Sequence, residues 1–344
     1  MPQDGKIKVA INGFGRIGRM AFKIALDKPE LEVVGINDLT SPAVLAQLLK
    51  YDTNYGRYHR EVSASETHII VDGVSYPVFA EKDPAALPWG KLGVDVVIEC
   101  TGRFTSSDKA SGHLKAGAKK VIISAPAKDE GITKTIILGV NDHEYKGEDI
   151  ISNASCTSNC IIPVAAVLHN VFGIEKIMMT TIHSYTAEQN LVDGPPPGEH
   201  STDMRRARAA AVNIVPTTTG SAISTSQVIP ELKGLFNGLA FRIPTPVGSL
   251  SDFVALLKKN TTIEEVNQAF IDASQTPLYA GKLVVTDEPL VSSDIVGNPA
   301  SAIIDLSLTQ VVDGNFVKVV AWYDNECGYS NRLVEEVILV GKHK

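Results

Sequence analysis

The amino-acid sequence predicts an α/β protein whose first half contains a parallel, doubly wound sheet and whose second half is an α+β unit with a mostly antiparallel sheet. In the first half, short apolar strands alternate with helices through about residue 150, which is the pattern of a parallel sheet. In the second half, long β-branched stretches are separated by turn residues, which favours antiparallel pairing. With 344 residues, the chain is long enough for two such cores.

The elements expected in the first half follow one another with short connections. Predicted strands cover residues 6–12, 31–36, 68–71, 74–79, 94–100 and 120–124, and predicted helices cover 16–27, 42–51 and 106–117. Asp72-Gly73 lies between two strand-like runs, which is the sequence pattern of a hairpin. The other strands are separated by helices, so the sheet should be mostly parallel.

The second half has a different organisation. Helices are predicted over 157–171, 262–274 and 331–340, and strands over 175–185, 241–243, 249–257 and 301–322, the last interrupted by the turn Asp313-Gly314. The loop 186–204 contains Gly194-Pro195-Pro196-Pro197-Gly198, a segment that excludes helix and interior strand. A long loop inside a compact domain usually serves function.

Composition argues against several classes of protein. The net charge of −7, from 32 basic and 39 acidic side chains, disfavours a nucleic-acid surface. No apolar run has membrane-spanning length, and the first residues lead directly into a strand without a secretory leader. Four irregularly spaced cysteines do not suggest a disulfide framework, so we expect a cytoplasmic protein. We predict no metal site, no nucleic-acid partner and no membrane partner.

A glycine-rich turn follows the first predicted strand and opens the first predicted helix. Gly13-Phe14-Gly15-Arg16-Ile17-Gly18 has the spacing G-x-G-x-x-G, and Asp38 lies 20 residues further on, at the end of the next strand. In this context the motif predicts a Rossmann-type dinucleotide site, with the pyrophosphate at the helix N-terminus. The Asp38 carboxylate should accept hydrogen bonds from ribose hydroxyls and repel a 2′-phosphate, which favours NAD over NADP. The alternative is that Asp38 is a simple turn residue.

Cys156 lies between a short strand and a helix, in the run Ser155-Cys156-Thr157-Ser158-Asn159-Cys160. Backbone N–H groups at a helix start stabilise an anion, so this thiol should ionise more readily than a free cysteine and act as a nucleophile. The alternative is a buried structural cysteine. Cys160, one turn further along, is expected to serve packing.

His183 ends the strand after that helix, where a residue able to move a proton is well placed. Thr186, Thr217-Thr218-Thr219-Gly220 and Arg242 supply the hydroxyls and the guanidinium that a bound phosphate requires. We expect the other histidines to be surface residues, namely His59, His68, His113, His143, His169, His200 and His343. Arg205, Arg206 and Arg208 should fix the loop or contact another subunit.

Taken together, these motifs resemble the phosphorylating glyceraldehyde-3-phosphate dehydrogenases over essentially the whole chain. The residues that carry the resemblance are Asn12–Gly18, Asn37-Asp38-Leu39-Thr40, Cys100-Thr101-Gly102-Arg103-Phe104, Ser155–Cys160, His183-Ser184-Tyr185-Thr186, Arg205–Ala210, Pro216–Gly220 and Trp322-Tyr323-Asp324-Asn325-Glu326. The combination is far more specific than any one of its parts.

The resemblance implies a role for each matching residue. Cys156 would attack the substrate aldehyde, with His183 as base, and inorganic phosphate would release the resulting acyl group from a thioester. NAD would be bound by Asn12, Gly13, Phe14, Gly15, Arg16, Ile17, Gly18, Asp38, Lys82, Thr101, Ser124, Asn325 and Tyr329, with Asn325 holding the nicotinamide amide. The substrate phosphate would be bound by Thr186 and Arg242, and the attacking phosphate by Ser155, Thr157, Thr219 and Gly220.

The resemblance also implies an architecture. Residues 1–154 and 328–344 would form the NAD-binding Rossmann domain, to which the C-terminal helix returns, and residues 155–327 would form the catalytic domain. The family is tetrameric, and its long loop packs across subunits. We therefore expect a homotetramer in which the proline-rich residues reshape a subunit contact.

The chain departs from the family pattern at several positions. Ser158 stands where a second threonine is usual, Ala187 where an asparagine is frequent, and Glu188 where an aspartate is common. The loop between Asp193 and Asp203 is longer than usual, so the expected preference for NAD depends mainly on Asp38. Two alternatives stay open: an erythrose-4-phosphate dehydrogenase that ends at the free acid, and a regulatory NAD-binding protein without catalysis.

Overall fold

The computed structural model describes residues 5–129, 131–196 and 202–343. Its internal contacts divide the chain into two compact units. The first unit comprises the described residues up to Ile136, together with Asp142–Ser155 and the residues from Ser330 onward. The second comprises Ile137–Asn141 and the described part of Cys156–Tyr329.

Within its described residues, the first unit is built on a nine-stranded sheet. Its strands are β1 Ile7–Asn12, β2 Leu31–Asn37, β5 Val62–Ala64, β6 His68–Val71, β7 Val74–Phe79, β8 Val96–Glu99, β9 Lys120–Ile123, β10 Lys134–Thr135 and β11 Ile150–Ser152. Their order across the sheet is β10-β11-β9-β8-β1-β2-β7-β6-β5. A separate pair is formed by β3 Tyr51–Asp52 and β4 Gly56–Arg57. The helices are α1 Arg16–Ala25, α2 Pro42–Lys50, α3 Trp89–Leu92 and α4 Ser107–Lys115.

Pairing in this sheet is parallel from β10 to β7, and the edge strand pairs β7–β6 and β6–β5 are antiparallel. The central strands are apolar on both faces, because Val9, Ala10 and Ile11 of β1 are completely buried, as are Val96, Val97 and Ile98 of β8. Strands of this kind are typical of a parallel sheet covered on both sides. The predicted doubly wound class is therefore confirmed.

Two local predictions in this unit have opposite outcomes. Asp72 and Gly73 both adopt positive φ, at 49° and 79°, and join β6 to β7 as the expected hairpin turn. The expectation that His113 is a surface residue is wrong, because its side chain in α4 is completely buried. It contacts Glu99 and Trp89, two residues that are distant in sequence and that the local polar context did not reveal.

The second unit is built on an eight-stranded sheet within its described residues. Its strands are β12 Ile174–Ser184, β13 Val215–Thr217, β14 Phe236–Ile243, β15 Ser249–Leu257, β16 Leu283–Thr286, β17 Ala302–Asp305, β18 Gln310–Val312 and β19 Phe316–Tyr323. Their order is β13-β14-β12-β15-β19-β17-β16, with β18 paired to β19. The helices are α5 Cys156–Phe172, α6 Ser221–Val228 and α7 Ile263–Ser274. Most neighbours pair antiparallel, as predicted, but β12 with β14 and β16 with β17 are parallel.

Helix boundaries follow recognisable sequence signals. Helix α7 begins with a capping box, in which the Thr262 and Glu265 side chains each accept from the other residue's backbone N–H. Helix α6 was not predicted, because its serine- and threonine-rich sequence has low helix propensity and only tertiary packing supports it. The run 301–322 is broken by a 3₁₀ turn at Leu306–Leu308, where Asp305 caps the Ser307 N–H.

The last helix, α8 Cys327–Lys342, begins four residues earlier than predicted. From Ser330 onward it belongs to the first unit. A Cβ built at Gly341 would lie 2.6 Å from the Ile7 side chain, so the glycine permits close approach of the helix to β1. The expected return of the C-terminal helix to the Rossmann unit is confirmed. In the described part of the chain, no helix is both long and apolar enough to cross a bilayer.

Arginines fix the loop after β12, as predicted for Arg206 and Arg208. Arg206 is buried and pairs with Glu188 and with Asp203, the latter at 3.0 Å. Arg208 pairs with Asp193 at 2.9 Å. Of the proline-rich segment, Pro197 and Gly198 lie outside the described residues, as does His200, so the expected subunit contact and surface position at these residues stay predictions.

Glu336 of α8 is a completely buried acid in the first unit. Neither of its side-chain oxygens has a hydrogen-bond partner among the described residues. Burial raises the pKa of this carboxyl well above its usual value of 4.5, the Arg332 charge opposes that shift, and Asp142 and Glu335 add to it. As the pH rises past 4.5, Glu336 loses its proton in the unfolded state but keeps it in the folded state. The free energy of unfolding therefore falls as the pH rises above about 4.5.

We expect Glu336→Leu to raise the free energy of unfolding by about 1–3 kcal/mol at pH 7, because it removes the desolvation cost of an unpartnered acid. The gain should grow between pH 5 and pH 8, and urea unfolding at several pH values measures it. Glu335→Gln is the matched control, since Glu335 is 30% exposed and already paired with Arg332, so its replacement does not remove an unpartnered buried acid. If Glu336→Leu instead lowered the free energy of unfolding, the interpretation that the buried Glu336 destabilises the fold would be wrong.

Candidate active site

The glycine-rich turn joins β1 to α1 and has no room for side chains at two of its glycines. Gly13 has φ +92°, and a Cβ there would lie 2.8 Å from the backbone of Cys100 and Thr101. A Cβ at Gly18 would collide with the carbonyl oxygen of Gly13. Close packing of this kind leaves the turn backbone and the start of α1 open to an anion, so the site fits a dinucleotide.

Asp38, the first residue after β2, is held against this turn. One of its carboxylate oxygens accepts the Phe14 N–H at 2.8 Å, and the other accepts the Thr40 N–H at 2.9 Å. The carboxylate is thus fixed beside the glycine-rich turn, at the position where it was expected from the sequence spacing. Arg16 of the same turn pairs with Asp52 at 2.5 Å.

The remaining predicted cofactor residues of the first unit follow other strands of the same sheet. Thr101 follows β8, Ser124 follows β9, and the exposed Lys82 follows β7. Because these strands are parallel to β1, their carboxyl ends meet at one edge of the sheet, together with the glycine-rich turn. The Asn12 side chain, by contrast, points into the protein, where it is hydrogen-bonded to Glu99 and Asn37.

Asn325 and Tyr329 belong to the second unit and are both buried. The Asn325 side-chain oxygen accepts the Gly248 N–H at 3.1 Å and the Ser249 hydroxyl at 3.0 Å. Those two contacts fix the amide orientation, so its NH₂ group faces away from them.

In the second unit, a thiol and an imidazole form a close pair. The Cys156 Sγ lies 3.3 Å from the Nε2 atom of His183. Cys156 is the first residue of α5, and Ala154 in the preceding turn has a left-handed φ of 51°. His183 is the penultimate residue of β12 and only 3% exposed. The two residues predicted to carry out the chemistry are therefore in contact.

The tautomer of His183 follows from its other ring nitrogen. Nδ1 lies 2.6 Å from the Ser184 carbonyl oxygen, a distance that requires Nδ1 to donate. Arg242 Nη1 donates to the same carbonyl at 3.2 Å, which explains why it lies only 2.9 Å from Nδ1. With its proton on Nδ1, His183 offers the Nε2 lone pair to the thiol, as a general base must.

Burial dominates the protonation of both groups. Desolvation lowers the pKa of His183 to about 3, and the Arg242 charge acts in the same direction. Burial also raises the pKa of the Cys156 thiol, although Arg242 and hydrogen bonds from Thr157 oppose it. The expectation that the helix start lowers this pKa is therefore wrong in net effect. At neutral pH the pair consists of a neutral thiol and a neutral imidazole, so the thiol proton must move to Nε2 during attack.

Arg242 lies opposite His183 because β12 and β14 pair in register. Its Nη1 also lies 3.5 Å from the Thr186 hydroxyl, so the structure brings together the two residues predicted to bind the substrate phosphate. Glu188 pairs with Arg242 at 3.0 Å and with Arg206 as well. Glu188 thus balances the charge of two guanidinium groups, a role that only the loop conformation reveals.

The residues predicted to bind the attacking phosphate lie at or beside the starts of helices α5 and α6, and two of their hydroxyls contact neighbouring hydroxyls. Thr219 precedes α6 and its hydroxyl contacts that of Ser221 at 2.8 Å, while Gly220 is the N-cap residue of the helix. The Thr157 hydroxyl, in the first turn of α5, lies 3.0 Å from the hydroxyl of Tyr323. Ser155, the residue before Cys156, ends the first unit's segment Asp142–Ser155.

Tyr323 is a site residue whose role the sequence did not reveal. It is 1% exposed, and its hydroxyl also contacts Thr181 at 2.8 Å. Its ring meets the His183 ring edge-on, with centroids 6.0 Å apart. Tyr323 thus contacts His183 directly and the start of α5 through Thr157. The signal available in the sequence was its place in the motif Trp322–Glu326, at the end of a predicted strand and two residues before Asn325. Cys160 is completely buried, as expected of a packing residue.

Comparisons with known proteins show what the chain as a whole is similar to. Residues 7–107 match the family model described as "Glyceraldehyde 3-phosphate dehydrogenase, NAD binding domain", and residues 155–325 match the one described as "Glyceraldehyde 3-phosphate dehydrogenase, C-terminal domain". The glyceraldehyde-3-phosphate dehydrogenase of Geobacillus stearothermophilus is 54% identical over 331 residues, which is 96% of each chain. Glyceraldehyde-3-phosphate dehydrogenase 1 of Bacillus subtilis strain 168 is 53% identical over 98% of each chain. The Mycolicibacterium smegmatis enzyme is 54% identical over 98% of this chain and 99% of its own.

Proposed function

Because this chain belongs to the glyceraldehyde-3-phosphate dehydrogenase family, we propose that it converts D-glyceraldehyde 3-phosphate to 1,3-bisphosphoglycerate, with Cys156 as nucleophile and His183 as base. It is an NAD-dependent oxidoreductase of glycolysis and gluconeogenesis. The observation that carries the assignment of roles is the 3.3 Å contact between Cys156 Sγ and His183 Nε2, with Arg242 beside it. The division into an NAD-binding domain, 1–154 with 328–344, and a catalytic domain, 155–327, is part of the proposal.

The reaction begins with attack of the Cys156 sulfur on the aldehyde carbon. The thiol proton passes to His183 Nε2, which gives the alkoxide of a thiohemiacetal and an imidazolium ion; the imidazolium later returns this proton to the departing Cys156 thiolate. NAD, when bound, supplies the hydride acceptor. Cys156 then carries the acyl group as a thioester, and attack by inorganic phosphate forms the acyl phosphate and releases the thiol.

Arg242 and Thr186 support the orientation of the substrate. A guanidinium that is 12% exposed binds a phosphate more strongly than a solvated one, because little water competes. An arriving phosphate must share Arg242 with Glu188, which limits affinity and keeps the charge balanced in the free enzyme. We assign the second phosphate site, for the attacking phosphate, to Ser155, Thr157, Thr219 and Gly220.

An assay of NAD reduction by purified protein with glyceraldehyde 3-phosphate tests this proposal. We expect multiple turnovers that require inorganic phosphate, because only an acyl acceptor regenerates the Cys156 thiol. Equal turnover without phosphate would indicate hydrolysis, and preference for erythrose 4-phosphate would favour the erythrose-4-phosphate dehydrogenase hypothesis. The absence of turnover with either aldehyde would favour the hypothesis of a regulatory NAD-binding protein without catalysis.

The same assay with NADP tests Asp38. Its carboxylate, fixed beside the turn by the Phe14 N–H, should repel a 2′-phosphate, so we expect kcat/KM for NADP to be lower by about tenfold or more. Comparable efficiency with both cofactors would remove this role from Asp38.

A homotetramer is also part of the proposal. Five apolar side chains between β12 and β13 are between 68% and 78% exposed, namely Leu191, Val192, Met204, Val212 and Ile214. Apolar side chains in this number on one segment are typical of a surface that another subunit covers. Sedimentation velocity should therefore detect four chains of 36.9 kDa, and a single-chain particle would contradict the proposal. A cytoplasmic location, which the four free cysteines favour, belongs to the same proposal.

A further inference from the structure

Glu99 ends strand β8, and its side chain is only 1% exposed. It accepts hydrogen bonds from the Thr101 N–H at 2.7 Å, the Asn12 side-chain amide at 2.5 Å and His113 Nε2 at 3.0 Å. The Thr101 hydroxyl also donates to it. A carboxylate has about four sites at which it can accept, so these donors fill the group completely.

The direction of the bond from Asn12 is fixed by backbone atoms. Asn37 donates to the Glu81 carbonyl and accepts the Glu81 N–H, both at 2.9 Å. Because a backbone N–H and a carbonyl cannot exchange roles, the Asn37 amide has one orientation. Its NH₂ group also donates to the Asn12 oxygen at 2.7 Å. The Asn12 NH₂ group must therefore point at Glu99.

The direction of the bond from His113 is fixed by an indole. Trp89 Nε1 donates to His113 Nδ1 at 3.0 Å, and an indole nitrogen can only donate. His113 therefore has its proton on Nε2, which donates to Glu99. The Asn12 nitrogen and His113 Nε2 lie 3.3 Å apart because both point at the same carboxylate oxygen.

The Thr101 N–H, the Asn12 amide and His113 Nε2 are thus all fixed as donors, and both oxygens of residue 99 accept from them. The two residues it fixes form the base of the glycine-rich turn. Asn12 immediately precedes Gly13, where a Cβ would lie only 2.8 Å from the Thr101 nitrogen. The Cys100 N–H donates to the Asn12 carbonyl at 2.7 Å, so a shift of either residue would move the turn.

We propose that Glu99 is a positioning residue for NAD, whose two carboxyl oxygens hold Asn12 and Thr101 in the one arrangement that shapes the Gly13–Gly18 turn for a pyrophosphate. It does not touch the cofactor; it acts through the residues it holds. This inference rests on the proposed function, because it takes NAD to be the occupant of the turn.

Glu99→Gln tests the inference with almost no change in shape. Each carboxyl oxygen faces at least one fixed donor, either the Thr101 N–H or the Asn12 amide with His113 Nε2, so the amide NH₂ must face a donor in either orientation. We expect the Kd for NAD, measured by calorimetry, to rise about tenfold or more. The kinetic loss should appear in the KM for NAD rather than in the KM for glyceraldehyde 3-phosphate. Glu81→Gln is the control, since only the backbone of Glu81 takes part.

A second substitution distinguishes positioning from a general loss of stability. Trp89→Phe removes the donor to His113 Nδ1, so in the double variant His113 can move its proton to Nδ1 and accept from the amide that replaces the carboxylate. Glu99→Gln should therefore cost less NAD affinity in the Trp89→Phe background than in the wild type. The inference is overturned if the losses of NAD affinity caused by Glu99→Gln and by Trp89→Phe simply add in the double variant. It is also overturned if folded Glu99→Gln binds NAD as tightly as the wild type does.

Substitutions at His113 provide the same test if Glu99→Gln does not fold. His113→Gln can donate to Glu99 and accept from Trp89, so NAD affinity should stay within about threefold. His113→Leu removes one donor and should raise the Kd about fivefold or more. Equal affinities for these two variants would overturn the inference. A wild type that binds NAD but does not oxidise glyceraldehyde 3-phosphate would contradict only the proposed function.

Discussion

Cys156→Ser is expected to lower kcat by about 1,000-fold or more while the Kd for NAD stays within about twofold. A serine hydroxyl is a far weaker nucleophile than a thiol, and a serine ester would replace the thioester that phosphate must attack. NAD affinity should not change, because the glycine-rich turn and Asp38 belong to a different part of the chain. Steady-state kinetics and calorimetric titration measure the two quantities.

Cys160→Ser is the matched control for this experiment. Cys160 lies one turn further along α5 and is completely buried, so its replacement should lower stability but leave kcat within a few-fold. Retained activity in Cys156→Ser would remove Cys156 from the proposed role. A loss of activity in Cys160→Ser equal to that in Cys156→Ser would mean that the site depends on the packing of α5 rather than on one thiol.

His183→Asn is expected to lower kcat by about 100- to 1,000-fold, because the neutral thiol then has no proton acceptor at 3.3 Å. Asparagine keeps a polar group of moderate size beside Arg242, so the Kd for NAD and the fold should be retained. Pre-steady-state measurement of the first turnover isolates the acylation step that this residue serves.

The pH dependence of acylation provides the sharper readout. In the wild type, burial keeps the His183 pKa at about 3, so the imidazole is a free base throughout the neutral range. In His183→Asn the reaction requires a thiolate that forms without help, and burial raises the pKa of Cys156 above its ordinary value of 9.0. The variant's acylation rate should therefore rise about tenfold per pH unit between pH 7 and pH 9. A flat profile would indicate another base.

The sequence was most informative where spacing is local. The spacing of Gly13, Gly15 and Gly18 predicted the turn, and the position of Asp38 at the end of the next strand predicted that its carboxylate lies beside it. Both predictions succeed because the strand, the turn and the helix are adjacent in the chain. Hydrophobic periodicity also gave the position of α5 and β12, and with them Cys156 and His183. The boundaries were less accurate: α6 was missed and α8 was too short, because packing rather than propensity supports those residues.

The sequence did not predict the electrostatics of the site. A helix start favours a thiolate, yet the desolvation of the partly buried Cys156 thiol outweighs that effect, and burial is a property of the fold. Likewise, His113 has polar neighbours in the sequence, but in the fold its side chain is completely buried and hydrogen-bonded to Trp89. Glu188 neutralises the charges of Arg206 and Arg242 only because the loop after β12 folds back and brings the three side chains together.

By itself, the sequence determined the fold class, the family and the dinucleotide turn, and it predicted the thiol and imidazole that the structure brings into contact, since each depends on local spacing or on several motifs together. Only the tertiary structure decided the protonation of Cys156 and His183, the partners of Arg242, and the donor network around Glu99. These depend on which groups meet across strands far apart in the chain and on how much water is excluded there. Hydrogen-bond direction and desolvation are properties of that three-dimensional environment.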